Sequence, residues 1–197
     1  ASLKMMPLNE ETNEVLSDLS DSLERINAIA TQVKTLDHNQ DDLEIFDLSE
    51  AVGAEVETLR NTQVVHQLGL KLEFFGESKL QSKVSKSEIS RIIQNLVMNS
   101  VQASSSGAGI EIKVASDTGQ ALIEVSDKGH GIPKHMQEKV FEPDYTSKPG
   151  VGTGLGLSIV RHICQQRGGN VALSSEIGKG TTVQVKLPLY QGGLGVS

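Results

Sequence analysis

Apolar positions along this chain follow two rhythms, a helical one stepping by three and four and a strand-like one stepping by two. Between residues 9 and 36 the rhythm is helical. Leu19, Leu23, Ile26, Ala30 and Val33 step by four, three, four and three, with Asp18, Asp21, Glu24 and Arg25 between them. Pro7 and Asn9 supply entry signals, so the spacing predicts a long amphipathic helix with one apolar seam. Such a seam suits a helix folded on its own domain or one packed in an intermolecular bundle. Its acidic flanks favour the bundle. DHNQDD (37–42) then reads as a polar linker.

LEIFDLSEAV predicts a short strand followed by a helix, because Asp47 and Glu50 have capping-box spacing. That helix is expected to run to about residue 66 with Val52, Val56 and Leu59 inward, and Gly69 ends it. Leu70, Leu72 and Phe74 alternate as a half-buried strand, and QSKV predicts another short one. Ser85 and Glu88 repeat the capping-box spacing and open a helix to about residue 104, with Ile89, Ile92, Ile93, Leu96, Val97 and Val101 as its core face. GIEIKVASD and ALIEVSD alternate as two strands joined by a polar turn at Thr118 and Gly119. A short helix is expected over 132–140 with Pro133 in its first turn, then a loop over 141–151 too polar for core. A helix over 154–167 stops at Gly168 and Gly169, strands follow over 170–175 and 181–187, and the end of the chain reads as a frayed tail.

Charge divides the chain unevenly. Residues 1–60 hold 14 acidic and 4 basic side chains, whereas 61–197 hold 11 and 14. An acidic front and a mildly basic back argue against nucleic acid as a partner and fit a phosphorylated small ligand. The boundary also hints at two units. No apolar run approaches the length of a membrane span and the first residues lack a signal-peptide layout, which points to a cytoplasmic piece. The lone Cys164 excludes an internal disulfide and reads as a small core residue.

Candidate chemistry concentrates between Asp127 and Leu157. Gly129 and Gly131 form one glycine cluster, and Gly152, Gly154 and Gly156 another that opens straight into a helical pattern. A helix start preceded by glycines favours phosphate through its free N–H groups and dipole. The first cluster begins with the carboxylate of Asp127, which suits a donor-rich group such as an adenine amine. One pole for a base and one for phosphates is what a nucleotide site needs. On the helix before them, Arg91, Asn95, Asn99 and Gln102 fall on one stripe. That stripe is either a solvated polar face or a ligand set, and a carboxamide can both ligate Mg²⁺ and donate to phosphate.

QNLVMNSVQA (94–103), DKGHGIP (127–133), FEPDYTSK (141–148), GTGLGLSIV (152–160) and EIGKGTTVQVKLP (176–188) resemble, in order and spacing, the boxes of sensor histidine kinases. The resemblance spans about 47–188. It is to the catalytic, ATP-binding domain of two-component kinases, within the superfamily shared with heat-shock chaperone, gyrase and mismatch-repair ATPases. It implies an α+β fold, a two-layer sandwich whose mixed sheet is covered on one face by helices, with nucleotide held between helices and a lid. The implied organisation is a dimerisation-hairpin helix and linker over 1–40, the catalytic domain over 41–190 and a tail over 191–197. Implied ligands are ATP and Mg²⁺. Asn99 would hold the metal and Asn95 would face the phosphates, with Arg91 and Gln102 flanking them. Asp127 would accept from the adenine amine beside Gly129, Gly131 and Ile132, with Thr181 near the same pocket. Lys148 would reach the terminal phosphates, and Gly152, Thr153, Gly154, Leu155 and Gly156 would bring backbone N–H groups to them.

Two features depart from the family pattern. Asp144 stands where an aromatic usually follows FEP. None of His38, His66, His130, His135 and His162 is followed by an acidic and then a basic residue, the context of a phosphoacceptor. The resemblance therefore implies an acceptor helix preceding Ala1, a homodimer through dimerisation helices in the parent protein, and a response regulator receiver domain as the later recipient. Membrane attachment would come only through segments outside this chain. Rival readings are a serine kinase or ATPase of the same superfamily, and a pseudokinase that uses nucleotide only to set the shape of a docking module.

Overall fold

The computed structural model describes residues 45–77, 79–82, 84–143, 145 and 154–190. The expected first helix, its linker and the final seven residues lie outside the described residues. Strand β1 (Phe46–Asp47) leads into helix α1 (Leu48–Arg60), whose N-cap is Asp47: its Oδ1 accepts from Ser49 N at 2.9 Å and from Glu50 N at 3.3 Å. Val52, Val56 and Leu59 face the core, as their spacing predicts. The helix does not continue to residue 66. It stops after Arg60 and restarts as α2 (Gln63–Leu68). Two polar side chains make that break: Asn61 Nδ2 donates to Glu57 O at 2.8 Å and Thr62 Oγ1 to Leu59 O at 2.7 Å, competing for carbonyls the helix would use. Gly69, at φ 60°, closes α2 in the left-handed region.

Strands β2 (Lys71–Gly76), β4 (Gly109–Asp117), β5 (Gln120–Asp127), β7 (Gly180–Pro188) and β6 (Asn170–Glu176) lie in that order in one five-stranded sheet. β2 runs parallel to β4 and every other pairing is antiparallel. A second, two-stranded sheet pairs β1 with β3 (Gln81–Ser82). Thr118 and Gly119 both have positive φ, 49° and 82°, the geometry a two-residue hairpin needs to match strand twist.

Alternation decides which face is covered. Ile110, Ile112, Val114, Ile123, Val125, Val185 and Leu187 are buried beneath α1, α3 (Lys86–Ala103) and α4 (Gly156–Gln166). The opposite face is polar, with Gln184 donating to Glu124 at 2.8 Å and Lys186 paired with Asp117 at 2.7 Å. This is the two-layer α+β arrangement expected from the sequence. The capping box at α3 forms in full, and Glu88 also receives Arg167 Nε on both carboxylate oxygens at 3.0 Å, pinning the end of α4 to the start of α3.

Two further expectations change. Residues 132–140 do not form an α-helix but two 3-10 turns, Lys134–Met136 and Lys139–Phe141. Pro133 has an extended ψ of 141°, and Gln137 Nε2 occupies the Ile132 carbonyl at 2.9 Å, so a helix cannot propagate from Ile132. The tail is not frayed from residue 187. Leu187 is fully buried in β7, and Tyr190 N donates to Gln81 O at 2.8 Å.

Candidate nucleotide site

The C-terminal half of α3, the turn after β5, the 3-10 turns, the start of α4 and the ends of β6 and β7 enclose a cavity of about 590 Å³. That volume is in the range of small-molecule and cofactor sites. It brings together Asn95, Asn99, Gln102, Asp127, Gly131, Ile132, Gly154, Gly156 and Thr181. Arg91, Gly129 and Leu155 are not part of its lining, and Lys148, Gly152 and Thr153 lie outside the described residues.

At one end Asp127 is 8% exposed, and both protein donors reach the same oxygen: Gly129 N at 2.8 Å and Thr181 N at 3.2 Å to Oδ1. Among the described residues no donor is recorded on Oδ2. A buried carboxylate arranged this way presents an acceptor to whatever enters. Gly129 serves this end by packing: a Cβ there would stand 2.5 Å from Ala103 O, so only glycine lets the turn sit on the end of α3. His130 N reinforces the join by donating to Ala103 O at 3.2 Å. Gly131, at φ 73°, lies against the Glu176 backbone, where a side chain would strike the carbonyl.

At the other end, Asn95 Nδ2 donates to Arg91 O at 2.7 Å, which turns its Oδ1 toward Gly156. A Cβ on Gly156 would lie 2.9 Å from that oxygen, so the glycine permits close approach of α4 to the asparagine stripe. Among the described residues no side chain caps the start of α4, whose N-cap is the buried Leu155, and no acidic residue occupies its first turn. Its first N–H groups are thus in the state that attracts an anion. Arg161 on α4 sits 5.7 Å from the Phe141 ring centre, tying the second 3-10 turn to this helix.

The walls between the poles are apolar: Met98, Met136, Val140, Tyr145, Leu157, Leu173, Ile177 and Val183. Motif reading did not single them out, although five of them lie inside the quoted boxes, because they come from six elements and two connecting segments and share no local pattern. It also missed Ser175, which does not line the cavity but is hydrogen-bonded to residues that do. Cys164 is fully buried and burial pushes its thiol up to about 12, so it is a core residue and not a nucleophile.

Residues 85–191 match the family described as histidine kinase-, DNA gyrase B-, and HSP90-like ATPase. The chain belongs to this family. Sporulation kinase D of Bacillus subtilis (strain 168) is 28% identical over 181 residues, covering 91% of this chain and 36% of the relative. Sensor kinase CckA of Brucella abortus (strain 2308) is 34% identical over 161 residues, covering 74% of this chain and 17% of the relative. This histidine kinase-type domain therefore spans about a third or less of the length of those relatives. Among solved structures, the mycobacterial sensor histidine kinase MprB superposes with a TM-score of 0.65 at 26% identity, covering 74% of this chain and 97% of that one. The catalytic domain of histidine kinase ThkA gives the same TM-score and identity, covering 74% and 96%. The described domain is a histidine kinase-type domain of this family, with the fold of the catalytic domains of those kinases.

Proposed function

We propose that this chain transfers the γ-phosphoryl group of Mg-ATP to a histidine carried on a dimerisation helix outside the chain, for relay to a response regulator. The observation that carries the reading is the cavity itself, which joins a buried carboxylate pole to a pole of asparagines and helix N–H groups. Asp127 accepts from the adenine amine, with Thr181 beside it. Gly154, Gly156 and the start of α4 receive the phosphates. Lys148 supplies a cation to the terminal phosphates, and Gly152 and Thr153 belong to the same glycine-rich loop.

The donor set fits Mg²⁺. No group of three His, Cys, Asp or Glu side chains that could hold a metal exists among the described residues, but the carboxamides of Asn95 and Asn99 both line the cavity. Mg²⁺ takes few protein ligands and completes its shell with phosphate oxygens and water, so one carboxamide oxygen from Asn99 suffices. When bound it neutralises the phosphate charge. Around it, Asn95 and Gln102 orient the phosphate chain and the apolar walls exclude water. The bond from γ-phosphorus to the β–γ bridging oxygen breaks, a bond to an imidazole nitrogen forms, and ADP leaves.

In the parent protein, residues 1–40 belong to a dimerisation hairpin that builds a homodimer, residues 41–190 are the catalytic domain, and 191–197 are a tail. The domain works in the cytoplasm. Among the described residues no helix is long and apolar enough to cross a membrane. The test supplies the chain with labelled ATP and a separate acceptor-helix polypeptide. Acid-labile, alkali-stable label on that polypeptide is expected. ATP binding without any transfer would make the chain a docking module, and acid-stable label would make it a hydroxyl kinase.

A further inference from the structure

Asp127, Thr181 and Ser175 form a row across three strands, because Thr181 is the register partner of Asp127 on β5 and of Ser175 on β6. Ser175 Oγ has three close polar neighbours. It lies 2.8 Å from Ile132 N, which can only donate; 2.8 Å from Gly180 O, which can only accept; and 2.9 Å from Thr181 Oγ1, which can do either. A serine hydroxyl has one proton and two lone pairs. Its proton goes to Gly180 O, since otherwise two oxygens would face each other at 2.8 Å without one. Its lone pairs then receive Ile132 N–H and the Thr181 hydroxyl proton.

From this proton count we infer that Ser175, which does not line the cavity, is a specificity-determining positioning residue. With its proton committed to Ser175, Thr181 offers only lone pairs to the cavity it lines. Asp127, its register partner on β5, also offers an acceptor. Two adjacent acceptors match an exocyclic amine with its two N–H bonds. They oppose a base that carries a carbonyl oxygen at that place. Sites built around buried polar groups discriminate strongly in this way, because a mismatch leaves those groups unpaired. Gln137 supports the arrangement by donating to Ile132 O at 2.9 Å and Ser175 O at 2.8 Å, fixing Ile132 and β6 together.

The inference rests on the reading of this cavity as an adenine-nucleotide site, and one experiment separates the two. Affinities of the 197-residue chain for ADP and for inosine diphosphate, in which a carbonyl replaces the amine, are measured by calorimetry. The wild type should prefer ADP. Ser175→Ala frees the Thr181 hydroxyl to rotate and donate, so the preference should narrow by about tenfold. Loss of the acceptor for Ile132 N–H weakens both diphosphates alike and leaves the ratio untouched, so a merely structural role would not move it. Ser175→Thr, which keeps a hydroxyl, should restore the wild-type ratio. If Ser175→Ala fails to fold, Thr181→Val carries the test, weakening ADP and not inosine diphosphate. A preference unchanged in Ser175→Ala, or in Thr181→Val, would overturn the role of Ser175 alone. A wild type that holds both diphosphates equally would overturn the adenine reading and this inference with it.

Discussion

Thr181 donates its backbone N–H to Asp127 Oδ1 at 3.2 Å from the adjacent strand, directly opposite in register. The sequence separates the two by more than fifty residues, yet the pair makes one end of the cavity. Gly129 N reaches the same oxygen at 2.8 Å. Asp127→Asn keeps the size of the side chain but replaces an acceptor with an amide that must either face those N–H groups or face the ligand. Affinity for ADP and ATP should fall together, by about 10- to 100-fold, as befits loss of a charged hydrogen bond. Calorimetric titration of both nucleotides checks this. Wild-type affinity in the variant would remove Asp127 from the site.

Asn99→Ala acts at the other pole. ADP measured without metal should bind about as well as to the wild type, whereas the gain in ATP affinity on adding Mg²⁺ should shrink about tenfold or more. Titrations of ATP with and without the cation provide the comparison. An undiminished Mg²⁺ effect would move the metal role from Asn99.

Gly131 tests the packing of the wall and not its chemistry. At φ 73°, with the Glu176 carbonyl where a side chain would begin, Gly131→Ala is both strained and crowded. A loss of about 2 kcal/mol or more is expected, read as a drop in thermal midpoint. Gly107→Ala is the control, since its positive φ of 79° has open space around it; it should cost less.

Cys164 supplies a pH dependence. Burial raises its folded-state value from 9.0 to about 12, so the folded protein keeps a proton that the unfolded chain releases. Stability from this group is therefore complete below pH 9 and is lost as pH rises toward 12. Chemical denaturation across that window should show a steeper decline for the wild type than for Cys164→Ala. Thiol reagents at pH 8 should label the protein only after unfolding.

Much of this protein was legible in its residues taken in order. Ser85 with Glu88 announced α3 and its capping box, six apolar positions announced its buried face, and alternation at Ile110, Ile112, Ile123 and Val125 announced two central strands. These are local signals, because helix and strand periods are properties of neighbouring residues. The ordered glycine and asparagine boxes carried one local part of each pole, Asp127 with Gly129 and the asparagines of α3, whereas their partners Thr181 and Gly156 come from other segments. Local competition was harder to see. Asn61 and Thr62 broke a helix by hydrogen-bonding carbonyls one turn back, and Gln137 held Ile132 O so that two 3-10 turns replaced another helix.

Tertiary structure alone decided the rest. The parallel pairing of β2 with β4, the insertion of β7 between β5 and β6, and hence the row of Asp127, Thr181 and Ser175, depend on strands that meet only after folding. The apolar walls come from residues as distant as Met98 and Val183, whose shared surface has no trace in sequence spacing. The proton direction inferred for Thr181 follows from the three neighbours of Ser175, contributed by two segments, Ile132 and the start of β7 at Gly180 and Thr181. A periodic pattern can say which face of an element is buried; which residues of other elements it meets is fixed by sheet order and register.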